Sequence, residues 1–293
     1  MEGVVLASPE FYDVKYAINP LTNKASIVDK KKAMEQFEKL KGHFEKHHIP
    51  VHILDAKRAD PEGKFPDLVF VSNSALIMRG WPTKVAILAR YAHPERRGEE
   101  ARVGAYLKHI LGYKVISLPE QEGLYYEGQG DSRWSHDGKD LWLCYGAGRT
   151  TKSGIQAVKD AIMKEAIEAN WIPPTIHSLQ MVEKKTYHMD LCFLPLPNDR
   201  ILLHESSFSA ASRKEIRNHF GKDNTLHVPL KYLYACNSVW LDEKHLLIPR
   251  LPDCRSWMYN GSKMKIEEVN VDQFHLAGGS ASCMVLALWK TLG

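Results

Sequence analysis

Ala277-Gly278-Gly279-Ser280-Ala281-Ser282-Cys283-Met284-Val285-Leu286-Ala287-Leu288 sets two glycines and two serines ahead of one cysteine, with an apolar run behind it. The glycines permit φ > 0 and close backbone approach. The small residues leave room around the sulfur. A cysteine at a tight loop-to-strand boundary is placed for chemistry. A buried thiol on a strand, however, is what most free cysteines are. The stretch alone leaves these readings evenly balanced. A nucleophilic thiol needs a base, carboxylates to hold a substrate, and something that lowers its pKa. Those partners must come from the rest of the chain.

The chain has 293 residues, 44% of them hydrophobic and 25% charged, which suits an ordinary soluble globular protein with a sizeable core. A net charge of +4, with both signs interspersed, argues against nucleic-acid binding, which wants a clustered basic face. No segment approaches the about 20 apolar residues of a membrane span. The start, Met-Glu-Gly-Val-Val-Leu-Ala-Ser-Pro-Glu, lacks the basic region and apolar run of a signal peptide. The five cysteines (144, 192, 236, 254 and 283) form no Cys-x-x-Cys and are odd in number. Reduced thiols in a cytoplasmic protein fit them better than disulfides. Without close Cys/His pairs, no metal site is expected.

Read in order, Val4–Leu6 is a short strand, and Ser8–Pro20 is an ordered loop rich in aromatics. Asp29 caps a helix to about His48, with Ala33, Phe37, Leu40 and Phe44 at amphipathic spacing. Val51–Leu54 is a strand. Phe65–Met78 is two apolar runs broken by Ser72-Asn73-Ser74, and Lys84–Ala89 is a strand. A charged loop from Arg90 opens a helix to about Leu111, and Val115–Leu118 follows as a strand. Leu124–Tyr126 and Leu141–Tyr145 read as strands and Thr151–Ala169 as a helix. Ile176–Met181, Cys192–Leu196 and Ile201–Leu203 are extended. Ser209–Phe220 is a helix stopped at Gly221. Leu226–Leu230, Ser238–Leu241 and Leu246–Ile248 are strands. Strand pairs thus alternate with a helix and a further strand, in units of about sixty residues. Nothing resembles a linker, so one α/β domain over residues 1–293 is predicted.

Four stretches carry polar groups that apolar strands do not need: Pro66-Asp67 with Asn73; Glu127-Gly128-Gln129-Gly130-Asp131; His188-Met189-Asp190; and Gly278-Gly279 with Cys283. Together they supply a thiol, an imidazole and several acids. A site rich in acids wants a cationic ligand. A planar guanidinium, with its fork of N–H donors, matches paired carboxylate acceptors. Thiol, histidine and acids therefore suggest covalent attack on a guanidinium carbon.

This set resembles the guanidine-modifying, or pentein, superfamily, in particular its amidinotransferase and dimethylarginine dimethylaminohydrolase-like branch, close to arginine dihydrolases and deiminases. The branch reads Ser-Pro…Val-x-Tyr-x-Ile-Asn-Pro, Pro-Asp-x-Val-Phe-x-x-Asn, Glu-Gly-x-Gly-Asp, Tyr-His-x-Asp and Gly-Gly-x-x-x-Cys. All five appear here in that order, at residues 8–20, 66–73, 127–131, 187–190 and 278–283. The resemblance implies a five-bladed pseudo-fivefold α/β propeller of ββαβ units.

It also implies roles. Cys283 is the nucleophile that forms an S-alkyl-thiouronium intermediate. His188 protonates the leaving amine and then deprotonates water. Glu127 lies close to the histidine and the substrate. Asp190 grips the guanidinium, Asp131 is a second acid of the Glu127 turn, and Asp67, Asn73 and Asn19 are substrate-proximal. Arg90 and Arg96 are candidates for clamping an α-carboxylate. Cys144, Cys192, Cys236 and Cys254 are structural. Deiminases and dimethylargininases usually carry aspartate where Asn73 stands, whereas asparagine is usual in the dihydrolase-like branch. Mammalian-type dimethylargininases lack the acid matched by Asp190, and Ser132-Arg133-Trp134 is bulkier than the branch usually shows.

The expectation is a cysteine-dependent hydrolase of arginine or a close relative, with no metal or organic cofactor, because thiol and imidazole suffice. Its partner is a small-molecule guanidino substrate, with no nucleic acid and no membrane, and a homo-oligomer stays open. The alternatives are a dimethylarginine dimethylaminohydrolase, an amidinotransferase, and a guanidino-binding protein without catalysis.

Overall fold

The computed structural model describes residues 1–251 and 264–292; Cys254 lies outside them. Strand β1 (Gly3–Ala7) pairs parallel with β2 (Val51–Leu54) and antiparallel with the last strand, β15 (Leu286–Leu288). Helix α1 (Lys30–Lys46) links β1 to β2. It starts where the Asp29 carboxylate accepts from Lys32 N (3.0 Å), and it buries Ala33, Phe37, Leu40 and Phe44, as their spacing predicts. A single turn, α2 (Ala56–Ala59), follows β2.

The same sheet of one antiparallel and one parallel pairing recurs four times. The second is β3 (Ala75–Ile77), β4 (Val85–Leu88) and β5 (Lys114–Ile116), with α3 (Glu99–His109) as the crossover. The third is β6 (Ser132–Trp134), β7 (Asp140–Gly146) and β8 (Thr175–Met181), crossed by α4 (Lys152–Glu168). The fourth is β9 (Phe193–Leu196), β10 (Arg200–Leu203) and β11 (Thr225–His227), crossed by α5 (Ala210–Phe220). The fifth is β12 (Val239–Trp240), β13 (His245–Pro249) and β14 (Lys265–Val269). Parallel neighbours need such crossovers, and antiparallel ones need only a hairpin.

Side chains alternate across each strand, so one strand feeds two cores. Val4 and Leu6 of β1 join a cluster with α1, Val239 and Leu247, which ties the first unit to the fifth. Val5 and Ala7 join a second cluster with Ala75, Ile77 and α3. Three further clusters join units two and three, three and four, and four and five. Packing contacts thus run in a closed cycle of five units.

Every unit's first strand is entered through a 3₁₀ turn: Val71–Ser74 before β3, Gly128–Gly130 before β6, Met189–Leu191 before β9, Leu230–Cys236 before β12, and Ser282–Met284 before β15. Three local expectations change. The first apolar run of Phe65–Met78 folds as 3₁₀ turns rather than strand, because Pro66 has no N–H to donate to a ladder. Leu124–Tyr126 is no strand; Tyr126 forms only an isolated bridge with Arg90. Ser132–Trp134, by contrast, is one, too short to show periodicity. Among the described residues, no helix is long and apolar enough to cross a membrane.

Candidate active site

The 3₁₀ turns bring the polar stretches together. Gly278 (φ +86°) has a conformation that L side chains rarely adopt, and a Cβ on Gly279 would come within 2.1 Å of the Phe70 ring. The loop before Cys283 can therefore lie flat on its neighbours. Asn19 and Tyr187 hold it there. Asn19 Nδ2 donates to Ala277 O (2.9 Å), and Tyr187 Oη donates to Gly278 O (2.8 Å).

Cys283 is 2% exposed. Its Sγ donates to Asp190 Oδ2 (3.2 Å) and accepts from Asn237 Nδ2 (3.2 Å). Asn237 Oδ1 in turn accepts from Ser282 N (2.8 Å) and Cys283 N (3.3 Å), so one amide orients both the turn and the sulfur. Burial pushes the thiol well above its ordinary pKa, and the charge of Asp190 pushes the same way. Asp190 Oδ1 is buried and finds no hydrogen-bond partner among the described residues. A buried carboxylate oxygen left this way is costly unless a donor reaches it.

His188 Nε2 lies 2.7 Å from Glu127 Oε2, which also accepts from Arg149 Nη1 (2.7 Å). All three residues are buried. Burial pushes the Glu127 carboxyl up, but the Arg149 guanidinium and then the His188 contact outweigh it and hold the group well below the usual carboxylate range. Glu127 is thus an anion that fixes the imidazole. Asp131 Oδ1 accepts from Met189 N (3.1 Å) and its Oδ2 from Thr150 Oγ1 (2.5 Å). Both oxygens are engaged, so Asp131 ties the third unit's turn to the fourth's. Burial raises its pKa to about 6, against the pull of His188 and Thr150.

Asp67 is buried in the Pro66–Val69 turn. Burial raises its pKa, partly offset by Arg96 and Arg149. Asn73 is 2% exposed, with Oδ1 accepting from Arg96 Nη1 (3.1 Å) and Nδ2 without a partner among the described residues. A Cβ on Gly130 would stand 2.1 Å from that Nδ2, so glycine is required there.

The two arginines expected as carboxylate clamps are placed otherwise. Arg96 is 3% exposed and spends its guanidinium on Glu99 (Nη2 to Oε2, 2.6 Å), Asn73 and the carbonyls of Asp67 and Phe70. It orders the Asn73 corner. Arg90 bridges Tyr126 through its backbone and donates from Nη2 to Gln121 O (3.3 Å), outside the network that joins the other site residues. Sequence reading missed Arg149, Thr150 and Asn237. Arg149 looks like a loop cation ahead of α4. The signal for Asn237 was positional: it stands just before a unit's first strand, as Asn73 and Asp131 do.

Comparison with known proteins agrees with this layout. The profile of the family described as N,N dimethylarginine dimethylhydrolase, eukaryotic, matches residues 15–290. The chain is 27% identical over 288 residues to the bifunctional arginine dihydrolase/ornithine cyclodeaminase AgrE of Nostoc sp., covering 96% of this chain but 37% of AgrE. It thus spans under two-fifths of that relative's length. It is 23% identical to the N(G),N(G)-dimethylarginine dimethylaminohydrolase of Mycobacterium tuberculosis, covering 97% of this chain and 84% of that one. The N-terminal domain of the cyanobacterial arginine dihydrolase ArgZ, as a cysteine-to-serine variant bound to substrate, superposes with a TM-score of 0.82 at 25% identity, covering 99% and 98% of the two chains. A thiol held by one acid, an imidazole held by another and a profile match over most of the chain converge: this chain belongs to the eukaryotic-type dimethylarginine dimethylhydrolase family, within the pentein superfamily.

Proposed function

We propose that the chain is a cysteine hydrolase that cleaves C–N bonds of arginine or a close relative, on a single five-bladed propeller domain. The observation that carries this reading is Asp190, which takes the Cys283 thiol on one oxygen and keeps the other buried without a donor among the described residues. A guanidinium N–H supplies that donor. Its positive charge also cancels the carboxylate charge that keeps the thiol protonated, so Cys283 ionises when substrate arrives and its proton passes to His188, directly or through water.

The thiolate attacks the guanidinium carbon, and the tetrahedral adduct collapses as His188 hands a proton to the departing nitrogen. Glu127, itself pinned by Arg149, holds the imidazolium that donates. His188 then takes a proton from water, which attacks the thiouronium carbon. The C–S bond breaks and the thiolate is regenerated.

Asn73 bears on where the reaction stops. Arg96 occupies its carbonyl oxygen, so the amide turns an N–H donor inward. A donor suits an oxygen, either water or the ureido oxygen of citrulline, and favours a second hydrolysis. Arginine and two waters then give ornithine, two ammonia and carbon dioxide. The family's own description names dimethylarginine, which keeps cleavage of methylated arginines as the second reading. The described thiols at 144, 192 and 283 are free and buried, which supports a reducing, cytoplasmic setting.

The test is mass spectrometry of products after mixing the protein with arginine, agmatine and methylated arginines in parallel. Ornithine from arginine is expected. Citrulline alone would overturn the dihydrolase reading, and cleavage of methylated arginine only would replace it with the second. Cys283→Ser should bind arginine yet turn over at least about 10,000-fold more slowly; full activity would sink the covalent route.

A further inference from the structure

Outside the hydrogen-bond network around the thiol, where the first unit meets the fifth, the fold gathers three histidines and two acids. His43 and His47 share one face at the end of α1, four residues apart. Asp242 and His245 sit at the turn between β12 and β13, and Glu267 on β14. His47 Nδ1 lies 3.3 Å from Asp242 Oδ2, and His245 Nδ1 lies 2.8 Å from the same oxygen. One ligand atom from each of His47, Asp242 and His245 falls within 4.8 Å of the others, and the two rings stand 4.6 Å apart.

We propose that His47 Nδ1, His245 Nδ1 and Asp242 Oδ2 bind a divalent cation of the zinc type, which staples α1 to the β12–β13 turn. Tetrahedral ligands at about 2.0–2.1 Å from zinc lie about 3.3 Å from one another, so the His47 separation already matches a shared ion, and the His245 separation of 2.8 Å has only to open slightly as the ion enters. The set of two imidazoles and one carboxylate suits zinc and leaves further positions to solvent.

The surrounding contacts are those a metal site uses. His47 Nε2 is 2.6 Å from Glu267 Oε1, the carboxylate partner that typically fixes the free nitrogen of a metal-bound histidine. Glu267 is itself held by His43 Nδ1 (2.7 Å) and Lys46 Nζ (2.9 Å). Asp242 Oδ1 accepts from Lys244 N (2.7 Å) and His245 N (2.8 Å), which turns Oδ2 toward both imidazoles. The other cluster of this composition, Asp140, His177 and His219, is less open, because the His177 ring stacks on Trp142 at 3.8 Å.

The experiment uses the Cys283→Ser chain, which removes the thiol as a competing zinc ligand, after EDTA treatment and desalting. Calorimetric titration with Zn²⁺ should give one equivalent per chain. Thermal unfolding should move up by about 5 °C at a hundred times Kd. His245→Gln, at the start of β13, and Asp242→Asn, on the exposed turn before it, should each weaken binding at least tenfold, and Glu267→Gln by about 10- to 100-fold. Absence of binding, or equal binding by the His245→Gln chain, would overturn the site and leave these groups as a hydrogen-bonded tether.

Discussion

Asn73 and Asp190 stand at the entrances to the first strands of the second and fourth units, in 3₁₀ turns. Each has one polar atom engaged and one buried without a partner among the described residues. Yet they offer opposite chemistry. The Asp190 corner presents an acceptor, because the thiol holds its other oxygen. The Asn73 corner presents a donor, because Arg96 holds its carbonyl. The difference teaches that the repeated backbone sets where a group stands, while the neighbour behind it sets what the group offers.

The largest expected effect breaks the Asp190 side. Asp190→Asn removes the charged acceptor, and kcat/KM should fall about 100-fold or more. A merely structural loss would not also ease deprotonation of the thiol. Here iodoacetamide should label Cys283 faster at pH 8 without substrate, because the charge that raised its pKa is gone. Unchanged or slower labelling would separate Asp190 from the thiol.

The buried acid between these corners gives a pH test of intermediate size. Asp131 binds its proton more tightly in the fold (about 6) than its ordinary 3.8. Its favourable contribution is complete below 3.8 and is lost as pH rises through 6. Glu127 runs the other way: its contribution is complete above its ordinary 4.5 and is lost as pH falls below that. From pH 4.5 to 7.5, the parent should therefore lose about 2 kcal/mol more stability than Asp131→Asn, read from urea midpoints. Parallel curves would show that Asp131 does not titrate in this window.

The smallest effect sharpens the Asn73 side. Asn73→Asp should turn the corner into an acceptor paired with Arg96 and raise the share of citrulline. Arginine should still be consumed within about tenfold of the parent rate. An unchanged product ratio would remove Asn73 as the discriminator.

Much of the site was legible because its residues are chemically conspicuous. Cys283, His188, Glu127 and Asp190 stand beside glycines or strand starts, where apolar packing has no use for them. Asn237 was hidden, since an amide in Ala-Cys-Asn-Ser announces no chemistry until its two bonds to the Cys283 turn are seen. Arg149 was missed, and the place of Arg96 was not foreseen, for one reason. An arginine in a charged stretch looks solvated, and only burial beside Glu127 or Glu99 makes it a fixed cation.

The linear chain determined the α/β alternation, the long helices and the order of the polar groups that meet at the candidate site, because periodicity, caps and residue chemistry are local properties. Tertiary structure alone decided which atom each group presents. The orientation of Asn73, the protonated state of Cys283 and the meeting of His47 with His245 depend on partners from distant units. Their physics is burial and proximity, and neither exists until the first and last units have closed on each other.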